Sequence, residues 1–281
     1  MKTIRNTEFE GERPLYASRD LKIENVIVHE GESALKESAG VEAVDCIFEG
    51  RYPFWCCDGA KISGCTFKEE SRAPIWYSKN VEMKDCEVLA PKILRELDGV
   101  TLEKCRFPKA VETLWKCRSV KASECGFEGA DYLFFGSRGI RLNDIHLKGK
   151  YTFQYCSDIE IHDSILDTKD AFWESSDIVI YDSVVKGEYL AWYSSGLKLV
   201  RCLISGTQPL CYAKNLILED CSFAPDADLA FEYSEVQASI RGRITSVKNP
   251  LTGHIKASEG YGEIIMDENL KAPGDCLIET A

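Results

Sequence analysis

The sequence predicts an all-β chain folded as a single-stranded right-handed parallel β-helix of about 12 coils, each of 19–20 residues. Three observations predict it: cysteines that recur at a near-constant step, two unbroken apolar columns in the same register, and a turn-forming pair before each repeat. Cys46, Cys65, Cys86, Cys105 and Cys125 are separated by steps of 19 to 21 residues, and Cys202 and Cys221 by 19. A fixed period of that size marks a stacked repeat architecture.

Aligned on those cysteines, the first column reads Leu21, Val41, Ala60, Val81, Val100, Val120, Ile140, Ile159, Ile178, Leu197, Leu216 and Val236. The column two residues later, from Ile23 to Ala238, is equally apolar, with charged residues such as Lys22, Glu82 and Lys198 between the two. A period of two makes each motif a strand with one buried face, and the units are too short for a helical hairpin. Residues that tolerate a left-handed backbone, such as Gly59, Asn80, Gly99, Asp158 and Gly196, precede the strands. Parallel crossovers are right-handed, which sets the hand. One domain is expected over 1–281, with coils at 13–241 and caps at 1–12 and 242–281 covering the open sheet edges.

The cysteine column follows the strand and points inward, with Val26, Ile145, Ser164 and Ser183 replacing it in other coils. It is expected to hold small buried groups stacked one above another, near enough for a disulfide to be geometrically conceivable. Thirteen cysteines is an odd number, no C-x₂-C occurs, and the four histidines are scattered. These features favour free thiols in a reducing cytoplasm over a disulfide framework or a zinc site. No metal site and no cofactor are predicted.

Upstream of each turn lies a segment such as Pro-Phe-Trp-Cys-Cys (53–57) or Ala-Phe-Trp-Glu-Ser (171–175). Two of its columns are polar and must face solvent. The column four residues before the repeat start includes Glu96, Tyr155, Glu174, Tyr193, Tyr212 and Glu232, and the column eight before includes Lys92, Glu112, Tyr151, Asp170, Tyr189 and Asp228. Strand parity then turns the intervening Leu35, Phe54, Phe153 and Phe172 column outward as an apolar strip and sends Trp55, Trp76, Trp115, Trp173 and Trp192 inward. Only Lys36, Arg95 and Gln154 violate that assignment. The competing arrangement introduces a bulge, buries the Phe/Leu column and leaves the tryptophans as an outward ladder suited to sugar stacking.

The candidate ligand-binding residues on this face are Tyr151, Tyr155, Asp170, Glu174, Tyr189 and Tyr193, with Lys92, Glu96 and Glu112. Glycoside hydrolysis needs two carboxylates about 5–9.5 Å apart, whereas Asp170 and Glu174 on an extended strand would stand about 13 Å apart. A lyase needs only a base, so the Tyr151/Asp170/Tyr189 and Tyr155/Glu174/Tyr193 stacks suit it better. Lys92 beside Glu112, and Glu96 beside Lys116, also read as charge-complementary ladders.

With 44% hydrophobic and 28% charged residues the chain is globular. A formal charge of −12 disfavours nucleic acid as a partner. No apolar run is long enough to span a membrane, and the first ten residues lack the apolar core of a secretory signal. No Ser/His/Asp set or phosphate loop occurs, and the Gly260-x-Gly262 pair lacks the third glycine of a dinucleotide fingerprint.

Several longer strings carry a resemblance: Gly-Glu-Arg-Pro-Leu-Tyr-Ala-Ser (11–18), Glu-Ser-Ala-Leu-Lys-Glu (32–37), Glu-Thr-Leu-Trp (112–115), Lys-Asp-Ala-Phe-Trp (169–173), Gly-Thr-Gln-Pro-Leu-Cys-Tyr (206–212) and Leu-Ala-Phe-Glu-Tyr-Ser (229–234). By them the chain resembles, over nearly its whole length, a bacterial family of unknown function with a right-handed β-helix fold, within the pectin-lyase-like superfamily. The resemblance implies the fold and no catalytic residues. The calcium-binding acidic clusters and arginine bases of pectin lyases are not found here. Two functions are expected to compete. One is a cytoplasmic protein binding an oligosaccharide or small molecule on the tyrosine and carboxylate face, possible carbohydrate-active chemistry (a lyase, hydrolase or isomerase) included. The other is a scaffold that self-associates into a homo-oligomer through the apolar strip.

Overall fold

The computed structural model describes residues 1–267 and 275–279. It divides into two compact units, Met1–Arg141 and Leu142–Ala281. In the first, seven strands stack in parallel: Lys2–Phe9, Arg19–Val28, Ala39–Val44, Asp58–Ser63, Lys79–Lys84, Asp98–Glu103 and Arg118–Phe127. Their register places Leu21, Val41 and Ala60 in one line, and Val81, Val100 and Val120 in the same line further along. All six are at most 3% exposed, so the first apolar column is the inner face.

The second unit repeats the plan with Ser157–His162, Ser176–Tyr181, Ser195–Val200, Leu216–Phe223, Glu235–Ile240, Thr252–Ala257 and Asp275–Glu279. Each unit is a parallel β-helix. The ladder reaches further than the twelve repeats, because Lys2–Phe9 pairs with Arg19–Val28, and Thr252–Ala257 with both Glu235–Ile240 and Asp275–Glu279. Within the two segments expected as caps, Lys2–Phe9, Thr252–Ala257 and Asp275–Glu279 thus belong to coils. Their inner columns read Lys2, in a coil with a neighbour on one side only, and Gly253, whose φ of +111° and close approach to the Val236 carbonyl leave no room for a side chain.

Inside each coil, aromatic rings stack at the coil spacing, as Phe48 on Phe67 at 5.0 Å and Phe107 on Phe127 at 4.8 Å. The cysteine column does more than fill space. Cys65 Sγ accepts the Cys46 N–H at 3.3 Å and Cys125 Sγ the Cys105 N–H at 3.4 Å, while Ser164 and Ser183 Oγ take the Ile145 and Ser164 N–H groups at 3.0 Å. A second column does the same at another bend, where Ser78 Oγ accepts from Cys57 N and Ser137 Oγ from Cys117 N. At a bend the backbone cannot reach the next coil, and a short side-chain acceptor satisfies the buried donor. Cysteine and serine interchange there because both reach that far.

Eleven cysteines are buried, Cys56 is exposed and Cys276 is half-buried, and all thirteen are free thiols. Burial pushes the Cys57, Cys117 and Cys211 thiols up to about 12, which removes the reactive thiolate. A thiol reagent should modify Cys56 rapidly, Cys276 slowly and the others only after denaturation. Mass spectrometry that found more than two modified thiols in the native protein would overturn this burial pattern.

Candidate aromatic binding face

The segment upstream of each turn is not a continuous extended strand: left-handed residues flank its centre, as Tyr52 and Cys56 flank the short strand Phe54–Trp55, and in later coils the central residue is left-handed too. Tyr151, Phe153 and Tyr155 all have φ near +56°, and the next coils repeat the pattern at Asp170, Phe172 and Glu174 and at Tyr189, Ala191 and Tyr193. Alternate left-handed residues break the two-residue parity, because each one swings the following side chain to a new direction. The expected outward strip is therefore inside: Leu35, Phe54, Ile75, Leu94, Leu114, Phe134, Phe153, Phe172, Ala191 and Leu210 are at most 1% exposed. The five tryptophans expected inside are half-exposed and face outward. The same curl removes the extended-strand distance expected between Asp170 and Glu174.

In Met1–Arg141 the outward column forms a continuous stack. Trp55 lies on Trp76 at 5.2 Å. The Arg95 guanidinium sits 4.6 Å from the Trp76 ring centre and 4.4 Å from that of Trp115, and Trp115 lies 4.9 Å from Phe135. Glu112 binds Lys92 and Arg95 at 3.0 Å each, so these two predicted site residues form the charge ladder; Glu96 stands exposed beside them. The indole N–H groups of Trp76 and Trp115 donate to the Lys92 and Tyr132 carbonyls at 2.7 Å. Ring faces and donors in this stack are largely occupied by the protein itself.

In Leu142–Ala281 the rings move one column over. Tyr193, Tyr212 and Tyr233 stack at 5.1 and 5.3 Å, and Trp192 meets Tyr189 and Tyr212 edge-on at 5.3 Å each. Tyr155 and Tyr193 are about half exposed, at 51% and 53%. The indole nitrogens of Trp173 and Trp192 are buried with no hydrogen-bond partner among the described residues. Backbone bonds set the register: Tyr151 N and Asp170 N donate to the Lys169 and Glu188 carbonyls, and Tyr155 N and Glu174 N to those of Trp173 and Trp192. The six predicted residues of this unit thus come together in two stacked columns. Tyr212 and Tyr233 extend them. Tyr233 was hidden because the last coil slips by one residue, which puts Tyr233, rather than Glu232, above Tyr212.

Asp170 is 9% exposed, and burial raises its carboxyl above the usual range. Its neighbour Lys169 binds Glu188 at 2.9 Å and lies 5.1 Å from the centre of the Tyr189 ring. Glu232, expected outside, is also 9% exposed and is paired with Lys248 at 2.8 Å.

A feature that the repeat pattern did not reveal is a cleft of about 470 Å³ in Met1–Arg141, lined by Glu12, Glu30, Glu32, Glu49 and Glu70 with Arg51 and Arg72. Arg51 is held by Glu32 at 2.5 Å. Among the described residues no group of three or more His, Cys, Asp or Glu side chains is placed to hold a metal ion, and no helix is long and apolar enough to cross a membrane.

A family model described as "Protein of unknown function (DUF3737)" matches residues 2–279. Among curated proteins no match is found. Of solved structures, the surface protein and adhesin PfbA of Streptococcus pneumoniae is 9% identical, with 99% of this chain and 91% of that one covered and a TM-score of 0.38. The catalytic domain of a GH87 alpha-1,3-glucanase in complex with tetrasaccharides is 9% identical over 100% of this chain and 64% of that one, with a TM-score of 0.34. The periplasmic alginate epimerase AlgG is 10% identical over 99% and 77%, with a TM-score of 0.30.

Proposed function

The chain belongs to the family of proteins of unknown function DUF3737, and for this member we propose a glycan-binding role in which an oligosaccharide is held against the aromatic face of Leu142–Ala281. The observation that carries this reading is the row of tyrosines at 193, 212 and 233, stacked in successive coils and partly open to solvent, with Tyr155 in the same column beyond Glu174. Sugar C–H faces pack on such rings while their hydroxyls seek the flanking carboxylates, and a step of ~4.8 Å per coil presents the same contact again and again. Thirteen free thiols support a reducing, cytoplasmic setting. The scaffold reading loses its basis, because the apolar strip on which self-association was to rest is core.

Titration with an oligosaccharide library, followed by tryptophan fluorescence, tests the proposal, since Trp173 and Trp192 report from within the face. Tyr193→Ala is expected to weaken binding by about 2 kcal/mol, roughly thirtyfold, as truncation of an aromatic anchor does. Trp76→Ala, in the other unit, should leave affinity unchanged. Wild-type affinity in Tyr193→Ala, or no saturable binding of any oligosaccharide, would refute the proposal.

A further inference from the structure

The two outward aromatic stacks differ in what neutralises them. In Met1–Arg141 acidic and basic residues are nearly balanced, 24 against 22. The protein there supplies its own cation to the aromatics, Arg95 between Trp76 and Trp115, with Glu112 as its counter-charge at 3.0 Å. In Leu142–Ala281 acidic residues outnumber basic ones by 22 to 12, which accounts for −10 of the total −12. In that unit the column that holds Arg95 in the first carries Gln154, Trp173, Trp192 and Cys211, with no cation among them.

Two carboxylates beside these rings are correspondingly unmatched. Asp170 is nine-tenths buried and, among the described residues, has no hydrogen bond or ion pair through its side chain; the adjacent ammonium of Lys169 is committed to Glu188. Glu174, one column over, is exposed and also without an ion pair among the described residues. A buried carboxylate whose neighbouring cation is paired elsewhere is costly, whereas a cation over aromatic faces beside carboxylates gains from both.

We infer that the ligand of this face is an oligosaccharide bearing protonated amines, such as a glucosamine oligomer, whose ammonium groups take beside Asp170, Glu174 and the tyrosines the place that Arg95 fills in the other stack. This deepens the glycan-binding reading and rests on it. A uronate chain would bring its carboxylates against an acidic surface, where like charges in a partly desolvated site repel strongly. The amine-bearing ligand gains from the same field.

Isothermal titration with three tetrasaccharides tests the inference at low salt and at a pH where the amines are protonated: glucosamine, N-acetylglucosamine and galacturonic acid oligomers. The glucosamine oligomer is expected to bind at least tenfold more tightly than its acetylated counterpart, with the advantage shrinking as salt screens it, and the uronate is expected not to bind. Asp170→Asn should abolish the advantage, bringing the glucosamine oligomer down to the affinity that the same variant shows for the acetylated one. Glu174→Gln, on an exposed side chain that folding does not depend on, should reduce the advantage and serves as the check if Asp170→Asn is unstable. Acetylated or uronate oligomers that bind as tightly as the amine, or variants that keep the full preference, overturn the inference and leave the glycan-binding face standing. Failure of all three to bind overturns the inference, and the library titration then decides the glycan-binding face.

Discussion

Phe172→Ala is expected to cost about 3–5 kcal/mol of stability, as emptying a buried aromatic site does, without changing the oligomeric state. Phe172 is 1% exposed and stacks on Phe153 at 4.9 Å with the rings 15° apart. Phe172→Asp goes further, since it places a charge where no counter-ion exists, and that variant should not fold. Had strand parity held, both changes would lie on the surface and cost within about 0.5 kcal/mol. Urea denaturation of the wild type and Phe172→Ala decides between these placements. A loss below 1 kcal/mol would mean that Phe172 does not sit in the core.

That reversal marks where the repeat stops being legible. The strands were readable because alternation of Val81 and Met83 with Glu82 follows from extended backbone, and the register confirms it coil by coil. The upstream segment looked like another strand because polar and apolar columns also alternate there. Its backbone instead carries left-handed residues at Lys92, Leu94 and Glu96, and at the two flanking positions in the coils before them, such as Tyr52 and Cys56. Leu and Phe rarely adopt that conformation, so nothing in their identity announced it. Of the three exceptions, Lys36, Arg95 and Gln154, the signal lay in the two charged ones, since Gln154 is 8% exposed. A guanidinium in the tryptophan column is at home only if that column faces outward, where Arg95 is now found between two indoles.

The candidate site was legible as columns and obscured in its details. Polarity alone found Tyr151, Asp170, Tyr189, Tyr155, Glu174 and Tyr193, and the backbone register brings them together. It could not separate residues that the protein neutralises from those it leaves open. Lys92 and Glu112 satisfy each other, whereas Asp170 has no such partner. The cysteine column was recognised as inward and small, but its role as acceptor for the neighbouring coil's N–H was encoded only in the exchange of Cys for Ser at Ser164 and Ser183.

Gly206→Ala is the second substitution with a large expected effect, and it links the coil to the binding face. Gly206 has φ +101°, and a Cβ built there would stand 2.3 Å from the carbonyl oxygen of Gly187, far inside contact distance and against backbone that cannot swing away. Gly187 itself approaches the Thr168 carbonyl in the same manner, at 2.2 Å from an added Cβ. A side chain at 206 therefore adds overpacking, about 1–3 kcal/mol, to backbone strain of about 1–3 kcal/mol. Gly242→Ala isolates the second contribution, because Gly242 has φ +86° and nothing within 4 Å of an added Cβ. Denaturation midpoints should fall in the order wild type, Gly242→Ala, Gly206→Ala, and equal losses in the two variants would show that the coil yields around the new methyl group. If it does yield, the displacement reaches the ligand face. Gly206 precedes the left-handed run Gln208, Leu210 and Tyr212, and Tyr189 N is anchored on the Thr207 carbonyl at 3.1 Å. A coil pushed away at Gly206 separates Tyr212 from Tyr193 and Tyr189 from its anchor, so Gly206→Ala should weaken oligosaccharide binding at temperatures where it remains folded, whereas Gly242→Ala should not.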